Sequence, residues 1–309
     1  MRALPSKATV ARRFTYGPEA LEAIAGQLEA EYRDAEQQLL RLLAQGHITD
    51  WRRAFTTQQL SQVRAILDAL TGTAEEWCRF HVPTLYKAGL AVVESHLQPG
   101  GLSHFAHPGE ITPMDLGMTR LDHEAVAMLV ENASLRLGEA NSYCGQWIES
   151  MIARAKRTAQ LYGSAAKAMA VQQAIRDATL KTMIEAFAKG ATRQEASKAF
   201  LAALRKRGVT CFIDRSGRQW PMRQYAEMVA RTVAQEAQRH GIQNRMMQSG
   251  HDLVEVSDHA DECPRCKPWE GRILSLTGRT KGYPTVDDAY AAGLFHPRCA
   301  HVTLPYIRG

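Results

Sequence analysis

Residues 263–266 read C-P-R-C, and residues 296–301 read H-P-R-C-A-H. Two thiolates separated by two residues on a tight turn, joined by a second Cys/His pair from elsewhere in the chain, are the usual ligands of a tetrahedral zinc ion. The spacing therefore predicts a structural zinc site, and the alternative is a set of reduced, buried cysteines beside ordinary histidines. The predicted ligands are Cys263, Cys266, Cys299 and His301.

The identity of the fourth ligand stays open among three histidines. Cys299 and His301 would point to the same side of an extended segment, because side chains two residues apart in a strand share a face. His296 competes from three residues before Cys299, and His259 is a weaker candidate. A site with four protein ligands has no open position for water, which favours a structural role over a catalytic one.

Length and composition set outer bounds on the protein. At 309 residues the chain exceeds the usual single-domain size, which predicts two domains. The net charge of +6 allows proximity to nucleic acid, but an aromatic content of 7% offers little surface for base stacking. Six cysteines in so long a chain do not indicate a disulfide framework, so a reducing compartment is expected. No run of about 18 apolar residues occurs, so neither a membrane span nor a cleavable signal is predicted.

Helical periodicity dominates the first two thirds of the chain. Apolar residues from Leu21 to Leu42 recur at spacings of three and four, which predicts an amphipathic helix between Pro18 and Gly46. The Pro- and Gly-rich stretch 99–113 predicts an irregular loop. Further helices are predicted at Thr57–Leu70, Glu75–Leu97, Leu121–Ala140 and Asn141–Lys189, with a capping box at Thr192 and Glu195 opening one that ends at Gly208.

The pattern changes at Val209. Residues 209–214 and 218–220 read as two strands around a turn, which predicts a β-hairpin, and a helix then begins near Pro221. Residues 252–256 alternate as a short strand before the C-P-R-C motif. The predicted fold is therefore α+β: a mostly α-helical body over residues 1–207, followed by a small zinc-stabilised α+β domain over residues 208–309. The metal would compensate for the limited apolar core of such a domain.

Five ordered motifs of the C-terminal third resemble a known family. Together they cover about residues 208–307 and are similar to the phage minor capsid protein 2 family, which is related to the phage head-morphogenesis proteins typified by the Mu F protein. The motifs are G-V-T-C-F-I-D-R-S-G-R-Q-W (208–220), Y-A-E-M-V-A-R-T (225–232), D-L-V-E-V-S-D-H (252–259), C-P-R-C-K-P-W-E-G-R-I-L-S-L-T-G (263–278) and G-L-F-H-P-R-C-A-H-V-T-L-P-Y (293–306).

The resemblance implies a structural, non-enzymatic role in a virion. It implies a low-copy component made in the host bacterial cytoplasm and held inside the phage head near the portal, with ejection alongside the genome left open. The expected partners are portal and capsid proteins, packaged DNA without sequence preference, and further copies of the chain, with no membrane contact at rest. The Cys-X-Cys ending of the Mu F-like relatives favours His301 over His296 as the fourth ligand.

Other motif residues carry structural expectations. A buried Arg231 would need a carboxylate such as Asp258 or Asp261. A large ring at Trp269 would shield the thiolates from water, and Gly271 would permit a tight turn into the next strand.

Two alternative functions are each compatible with part of the sequence. An HNH-type, metal-dependent nuclease would use His251, His259 and His296 as general base and magnesium ligand. The Asp258-His259 pair lacks the spaced Asn and His on a helix that such a site needs. A zinc-ribbon DNA-binding module is the other alternative, and it would show a steep fall of DNA affinity with salt.

Overall fold

The computed structural model describes residues 18–48, 57–97, 117–161, 210–214, 218–258 and 263–307. Several predicted features lie outside these described residues. They are the irregular loop 99–113, the capping box at Thr192 and Glu195, the helix end at Gly208, and the alternative ligand His259.

Three long helices make up the described part of the N-terminal two thirds: α1 (Pro18–Ile48), α2 (Thr57–Leu97) and α3 (Arg120–Leu161). The apolar stripe predicted for α1 is buried, with Leu28, Tyr32 and Leu39 fully inaccessible to solvent. This burial confirms the helical period read from the sequence.

The helix α2 is continuous where the sequence predicts two helices separated at residues 71–74. Gly72 lies in the middle of it with open space around its Cα. The hydroxyls of Thr71 and Thr73 donate to the carbonyls of Leu67 and Ala69 one turn earlier, at 2.9 and 3.1 Å. The threonines are therefore accommodated within the helix, and a single exposed glycine costs only about 1 kcal/mol relative to alanine.

The C-terminal third contains the strands. β1 (Cys211–Ile213) and β2 (Gln219–Pro221) pair antiparallel, which confirms the predicted hairpin. Helix α4 (Met222–Gln248) follows, and then β3 (Leu253–Val256), β4 (Ile273–Ser275), the short helix α5 (Val286–Ala291) and β5 (Thr303–Pro305). β3 is the central strand of an antiparallel sheet of order β4-β3-β5. The predicted α+β class is thus confirmed.

The described residues form two compact units. Residues 18–28, 75–97, 117–135, 227–258 and 263–307 form one, called here the sheet unit. Residues 29–48, 57–74, 136–161, 210–214 and 218–226 form the other, called the hairpin unit. The predicted domain boundary between residues 207 and 208 falls outside the described residues and stays a prediction.

The core of the sheet unit combines residues of α2 with residues of the C-terminal third of the chain. Val92 and Val93 from α2 lie in one buried cluster with Ile242 and Met246 from α4. The same cluster includes the sheet residues Val254, Val256 and Leu274, and the loop residues Cys266, Leu294, Phe295 and Cys299. Residues that precede position 208 therefore contribute to the core beneath the C-terminal sheet.

Helices α2 and α4 cross with their backbones in contact. A Cβ atom built on Gly89 would overlap the backbone carbonyl oxygen of Gln238, and one built on Gly241 would overlap that of Tyr86. Only glycine permits so close an approach. These two positions fix where the helices meet.

A buried polar network lies beside this crossing. Tyr86 Oη donates to Asp122 Oδ1 at 2.8 Å and accepts a hydrogen bond from Asn244 Nδ2 at 2.6 Å. Gln248 Nε2 donates to the same Asp122 oxygen at 3.0 Å, and the Thr119 amide donates to Asp122 Oδ2 at 2.8 Å. Burial raises the pKa of Asp122, but these hydrogen bonds outweigh it and hold the pKa below its usual value. The network links α2, α3 and α4 inside the sheet unit.

None of the helices that the structure describes is both long enough and apolar enough to cross a membrane.

Candidate metal centre

The first pair of cysteines lies on a tight turn. The amides of Cys266 and Lys267 both donate to the Cys263 carbonyl, at 3.1 and 2.9 Å, and a single 3₁₀ turn over Lys267–Trp269 follows. Cys266 is fully buried, whereas Cys263 is half-buried. The turn directs both sulfur atoms toward the C-terminal loop.

The second pair lies on a loop with unusual backbone angles. Gly293 ends α5 at φ 101°, and Phe295 and Arg298 take positive φ values of 60° and 66°. The Cys299 amide donates to the His296 carbonyl at 2.8 Å, which closes a turn. Positive φ at non-glycine residues is uncommon and persists only where surrounding contacts fix it. The loop is therefore held in a specific conformation.

Sheet pairing explains why the two pairs meet. Val256 at the end of β3 pairs with Thr303 at the start of β5. The C-P-R-C turn follows β3 by seven residues, and His301 precedes β5 by two. Because β3 and β5 are antiparallel, the C-terminal end of β3 and the N-terminal end of β5 lie at the same end of the sheet.

The candidate ligand atoms are as close together as a shared metal requires. Cys266 Sγ lies 3.5 Å from Cys299 Sγ, and Cys299 Sγ lies 3.4 Å from His301 Nδ1. Cys263 Sγ lies 3.1 Å from His296 Nε2. Two ligands of a tetrahedral zinc ion are separated by about 3.6–3.8 Å, given bond lengths of about 2.3 Å to sulfur and 2.0–2.1 Å to nitrogen. The donor set and its spacing therefore fit zinc.

Both histidines have their second ring nitrogen held by an oxygen. His301 Nε2 lies 2.8 Å from Glu270 Oε1, and His296 Nδ1 lies 2.8 Å from the Pro297 carbonyl. Metal-binding histidines usually donate their other N–H to a carboxylate or a backbone carbonyl. Each histidine could therefore present its remaining nitrogen to a metal. His301 is buried and His296 is half-buried.

The site consists of two groups of three potential ligands that share one cysteine. Cys266 belongs to one group with Cys263 and His296, and to another with Cys299 and His301, each with its atoms within 4.8 Å of one another. The four ligands predicted from the sequence lie in these groups, and so does the alternative His296.

The thiols perturb one another strongly. Burial, followed by the proximity of Cys299 and Cys263, raises the pKa of Cys266 to about 12. The hydrogen bond with His296 is the largest cause that lowers the pKa of Cys263 to about 6. Burial raises the pKa of Cys299, but its hydrogen bonds with His301 outweigh burial and lower it. A divalent cation would favour the thiolate form at all three positions, since thiolates are the metal-binding form.

The structural expectations for neighbouring residues have mixed outcomes. Trp269 packs against the buried cluster that holds Cys266 and Cys299, and the shielding of the thiolates by its ring stays a prediction. Gly271 has φ 68°, in agreement with the predicted tight turn. His251, proposed for the nuclease alternative, belongs to neither ligand group of the described residues.

The expected pairing of Arg231 with Asp258 or Asp261 is wrong. Arg231 pairs with Glu22 of α1 and with Glu227 one turn earlier on α4. Asp258 is exposed, and Asp261 lies outside the described residues. A partner 209 residues away cannot be read from the local sequence.

The contact of Glu270 with His301 was also not predicted from the sequence. A lone glutamate in P-W-E-G carries no signal of such a role, although its place four residues after Cys266 puts it beside the cysteine turn.

Comparison with known proteins gives one informative match. The family model described as phage minor capsid protein 2 matches residues 119–309, more than half of the chain. No curated protein and no solved structure gave a significant match. The family is one of structural phage capsid proteins, which places the chain in the virion among other phage structural proteins. The chain therefore belongs to the phage minor capsid protein 2 family.

Proposed function

We propose that this capsid protein works inside the phage head, bound near the portal, with a C-terminal domain stabilised by structural zinc. The observation that supports the zinc proposal is the convergence of three cysteines and two histidines at one edge of the sheet. Family membership supports the assembly role.

The proposed ligands are Cys263, Cys266, Cys299 and His301. His301 is preferred because its imidazole is buried and its other nitrogen contacts the Glu270 carboxylate. His296 is the alternative ligand. It contacts the half-buried Cys263, so in the preferred arrangement its N–H would donate to that thiolate from outside the metal shell. Four protein ligands would leave no position for substrate water, consistent with a structural centre.

The proposed partners are the portal, the capsid lining and further copies of the chain. The net charge of +6 would also let the protein lie beside packaged DNA without sequence preference. In this proposal the long helices supply contact surfaces, and the zinc-stabilised sheet keeps the C-terminal domain folded during assembly.

Metal content by mass spectrometry of the purified full chain tests the zinc proposal. One equivalent of zinc is expected, together with a lower melting temperature after chelation. Cys266→Ser and His301→Ala should each lose the metal, whereas His296→Ala should keep it. Zinc retained by His301→Ala but lost by His296→Ala would identify His296, and not His301, as the fourth ligand.

Phage particles that lack the protein test the assembly proposal. Malformed or poorly infectious heads are expected, and cross-linking of wild-type particles should join the chain to the portal. Normal infectivity without the protein would rule out an assembly role. Cross-links confined to exterior virion proteins would contradict the interior location.

A further inference from the structure

The two candidate histidines present different ring nitrogens to the cysteines. His301 Nδ1 lies 3.4 Å from Cys299 Sγ, and its Nε2 lies 2.8 Å from Glu270 Oε1. His296 has the opposite arrangement, because its Nε2 lies 3.1 Å from Cys263 Sγ and its Nδ1 lies 2.8 Å from the carbonyl oxygen of the next residue. A metal held at the cysteines would therefore bind His301 through Nδ1 but His296 through Nε2. The ring nitrogen that binds the metal thus identifies the histidine.

The oxygens that hold the two rings differ in charge and in exposure. The partner of His301 is a carboxylate, whereas the partner of His296 is a neutral backbone carbonyl. A hydrogen bond to a charged acceptor is about twice as strong as one between neutral groups. Side-chain exposure is 3% for His301 and 14% for Glu270, so water competes little for their contact, whereas His296 is half-buried. The orientation of the His301 ring is therefore fixed more firmly than that of His296.

The main chain holds Glu270 and His301 at the same end of β3. The amide of the residue after Glu270 donates to the Val256 carbonyl at 3.0 Å, and the carbonyl of the residue after His301 accepts from the Ser257 amide at 2.9 Å. Ser257 Oγ also accepts a hydrogen bond from the amide of the residue after His301, at 3.0 Å. Because Val256 and Ser257 are consecutive, the carboxylate and the imidazole are both positioned by the same short piece of backbone.

The position of Glu270 also depends on the cysteine turn. Its amide donates to the Lys267 carbonyl at 3.3 Å, within the 3₁₀ turn that follows Cys266. Cys266 belongs to both groups of candidate ligands. Glu270 therefore connects the C-P-R-C turn to a histidine of the second pair, across a sequence separation of 31 residues.

We propose that Glu270 is the positioning residue that selects His301, through Nδ1, as the fourth zinc ligand. The inference rests on the zinc site proposed above. Glu270 accepts the hydrogen bond of the Nε2–H group and so leaves the Nδ1 lone pair directed at the cysteines, as carboxylate partners of metal-bound histidines do. Without this acceptor the His301 ring loses its fixed orientation, while His296 already contacts Cys263 through Nε2. Removing the carboxylate should therefore exchange one histidine for the other.

NMR of the zinc-loaded full chain, with ¹⁵N-labelled histidine, tests the proposal because long-range ¹H–¹⁵N spectra distinguish a metal-bound Nδ1 from a metal-bound Nε2. The wild type should bind zinc through Nδ1, and this signal should be absent from His301→Ala but present in His296→Ala. In Glu270→Ala the metal-bound signal should move to Nε2, and adding His296→Ala should abolish it. Glu270→Gln keeps an oxygen acceptor and should retain binding through Nδ1.

Zinc affinity, measured by competition with a chromophoric chelator, supplies a second readout. Glu270→Ala is expected to lower the affinity about 10- to 100-fold, the range usual when the partner of a metal ligand is removed. Glu270→Gln should lose less. Asp258→Ala, which removes an exposed carboxylate beyond the same end of β3, is the matched control and should stay near wild type. If Glu270→Ala does not fold, Glu270→Asp, whose carboxylate is one methylene shorter, tests the same exchange of ligands.

The outcomes separate this inference from the zinc proposal. A wild-type chain that binds no zinc refutes the zinc site and the role of Glu270 together. Zinc bound through Nε2 in the wild type overturns the selection of His301 and leaves the zinc site intact. Zinc that stays on Nδ1 in Glu270→Ala overturns the role of Glu270, whatever the affinity. A loss of Nδ1 binding in Glu270→Gln equal to that in Glu270→Ala would also overturn it.

Discussion

The crossing of α2 and α4 and the candidate metal centre lie in the same unit but differ in what holds them. At the crossing, the backbones touch at Gly89 and Gly241, and the adjacent buried polar groups of Tyr86 and Asp122 have protein partners. At the candidate metal centre, three thiols and two imidazoles form two groups of three that share Cys266, and the candidate ligand atoms of each group lie within 4.8 Å of one another. The crossing is complete in the polypeptide alone, whereas the candidate metal centre would depend on a ligand if it binds the proposed zinc.

This difference predicts two kinds of fragility. A close backbone contact is disrupted when a residue with a side chain replaces glycine. Removing an ion from the solvent would not disrupt such a contact. A metal centre fails when the ion is withdrawn, and the sequence can stay intact. The predictions below use substitutions and chelation to separate the two.

The largest effect is expected at the helix crossing. Gly241→Ala places a Cβ against the backbone carbonyl of Tyr86, which cannot move without displacing α2. We expect a loss of more than about 4 kcal/mol in the free energy of unfolding, measured by urea denaturation.

Gly72→Ala is the matched control for this substitution. It lies in α2 with open space around its Cα, so alanine should stabilise the helix by about 0.5–1 kcal/mol. A Gly241→Ala variant as stable as wild type would show that the two helices do not touch in solution.

Chelation should open the sheet near the metal centre and leave the crossing closed. Free zinc at 100 to 1,000 times its dissociation constant would contribute about 3–4 kcal/mol to the proposed zinc-bound protein. We therefore expect hydrogen exchange to accelerate after chelation at the amides of β3, β5 and residues 263–270. Exchange near Tyr86 and Asn244 should change little.

Cys266→Ser should reproduce the exchange pattern of the chelated protein and should not respond to further chelator. Uniform acceleration across the unit would show that the crossing also depends on the metal. Unchanged exchange at β3 and β5 would show that no metal holds the sheet.

A smaller effect is expected when the Tyr86 hydroxyl beside the helix crossing is removed. Tyr86→Phe leaves Asp122 and Asn244 each without one hydrogen-bond partner inside the unit. Leaving buried polar groups unpaired costs about 1–3 kcal/mol, to be measured as a shift in the urea midpoint at constant slope. Tyr290→Phe, at an exposed tyrosine of the same unit, should have no measurable effect. If the two variants behaved alike, the network would contribute no specific stability.

The two regions also differ in how much the sequence could predict. The Cys/His cluster could be predicted from the sequence because C-x-x-C and C-x-H are local patterns with known chemistry. The contacts of Glu270, Arg231 and Arg239 could not be predicted, because these partners lie between 31 and 209 residues away. Arg239 and Phe295 are 56 positions apart, and only the folded loop brings them together.

The crossing of α2 and α4 could not be predicted from the sequence. Gly89 and Gly241 resemble any other glycines inside helical patterns, and a glycine there ordinarily signals only a loss of propensity. Gly72 shows the opposite error, since a helix break was predicted where α2 continues. What separates the three glycines is the atom that a Cβ would meet, and that is a property of packing.

The smallest effect is expected at Asp252, which joins the end of α4 to the sheet. Its carboxylate accepts hydrogen bonds from Ser275 Oγ at 2.6 Å, from the Thr277 amide at 2.9 Å and from the Thr280 amide at 3.1 Å. Burial raises the pKa of Asp252, but these hydrogen bonds outweigh it and hold the pKa far below its usual value.

Because the folded-state pKa is depressed, Asp252 stabilises the fold above its unfolded pKa of about 3.9 and loses that contribution as the pH falls toward the folded pKa. Asp252→Asn should therefore cost about 1 kcal/mol at pH 7, after allowance for solvent screening at this partly exposed site. The difference from wild type should shrink below about pH 4, in urea titrations repeated at each pH. Asp258→Asn, at an exposed aspartate beyond β3, should match wild type throughout. A difference for Asp252→Asn that stayed constant down to pH 2 would mean that the side chain's shape, and not its charge, anchors the turn between β4 and α5.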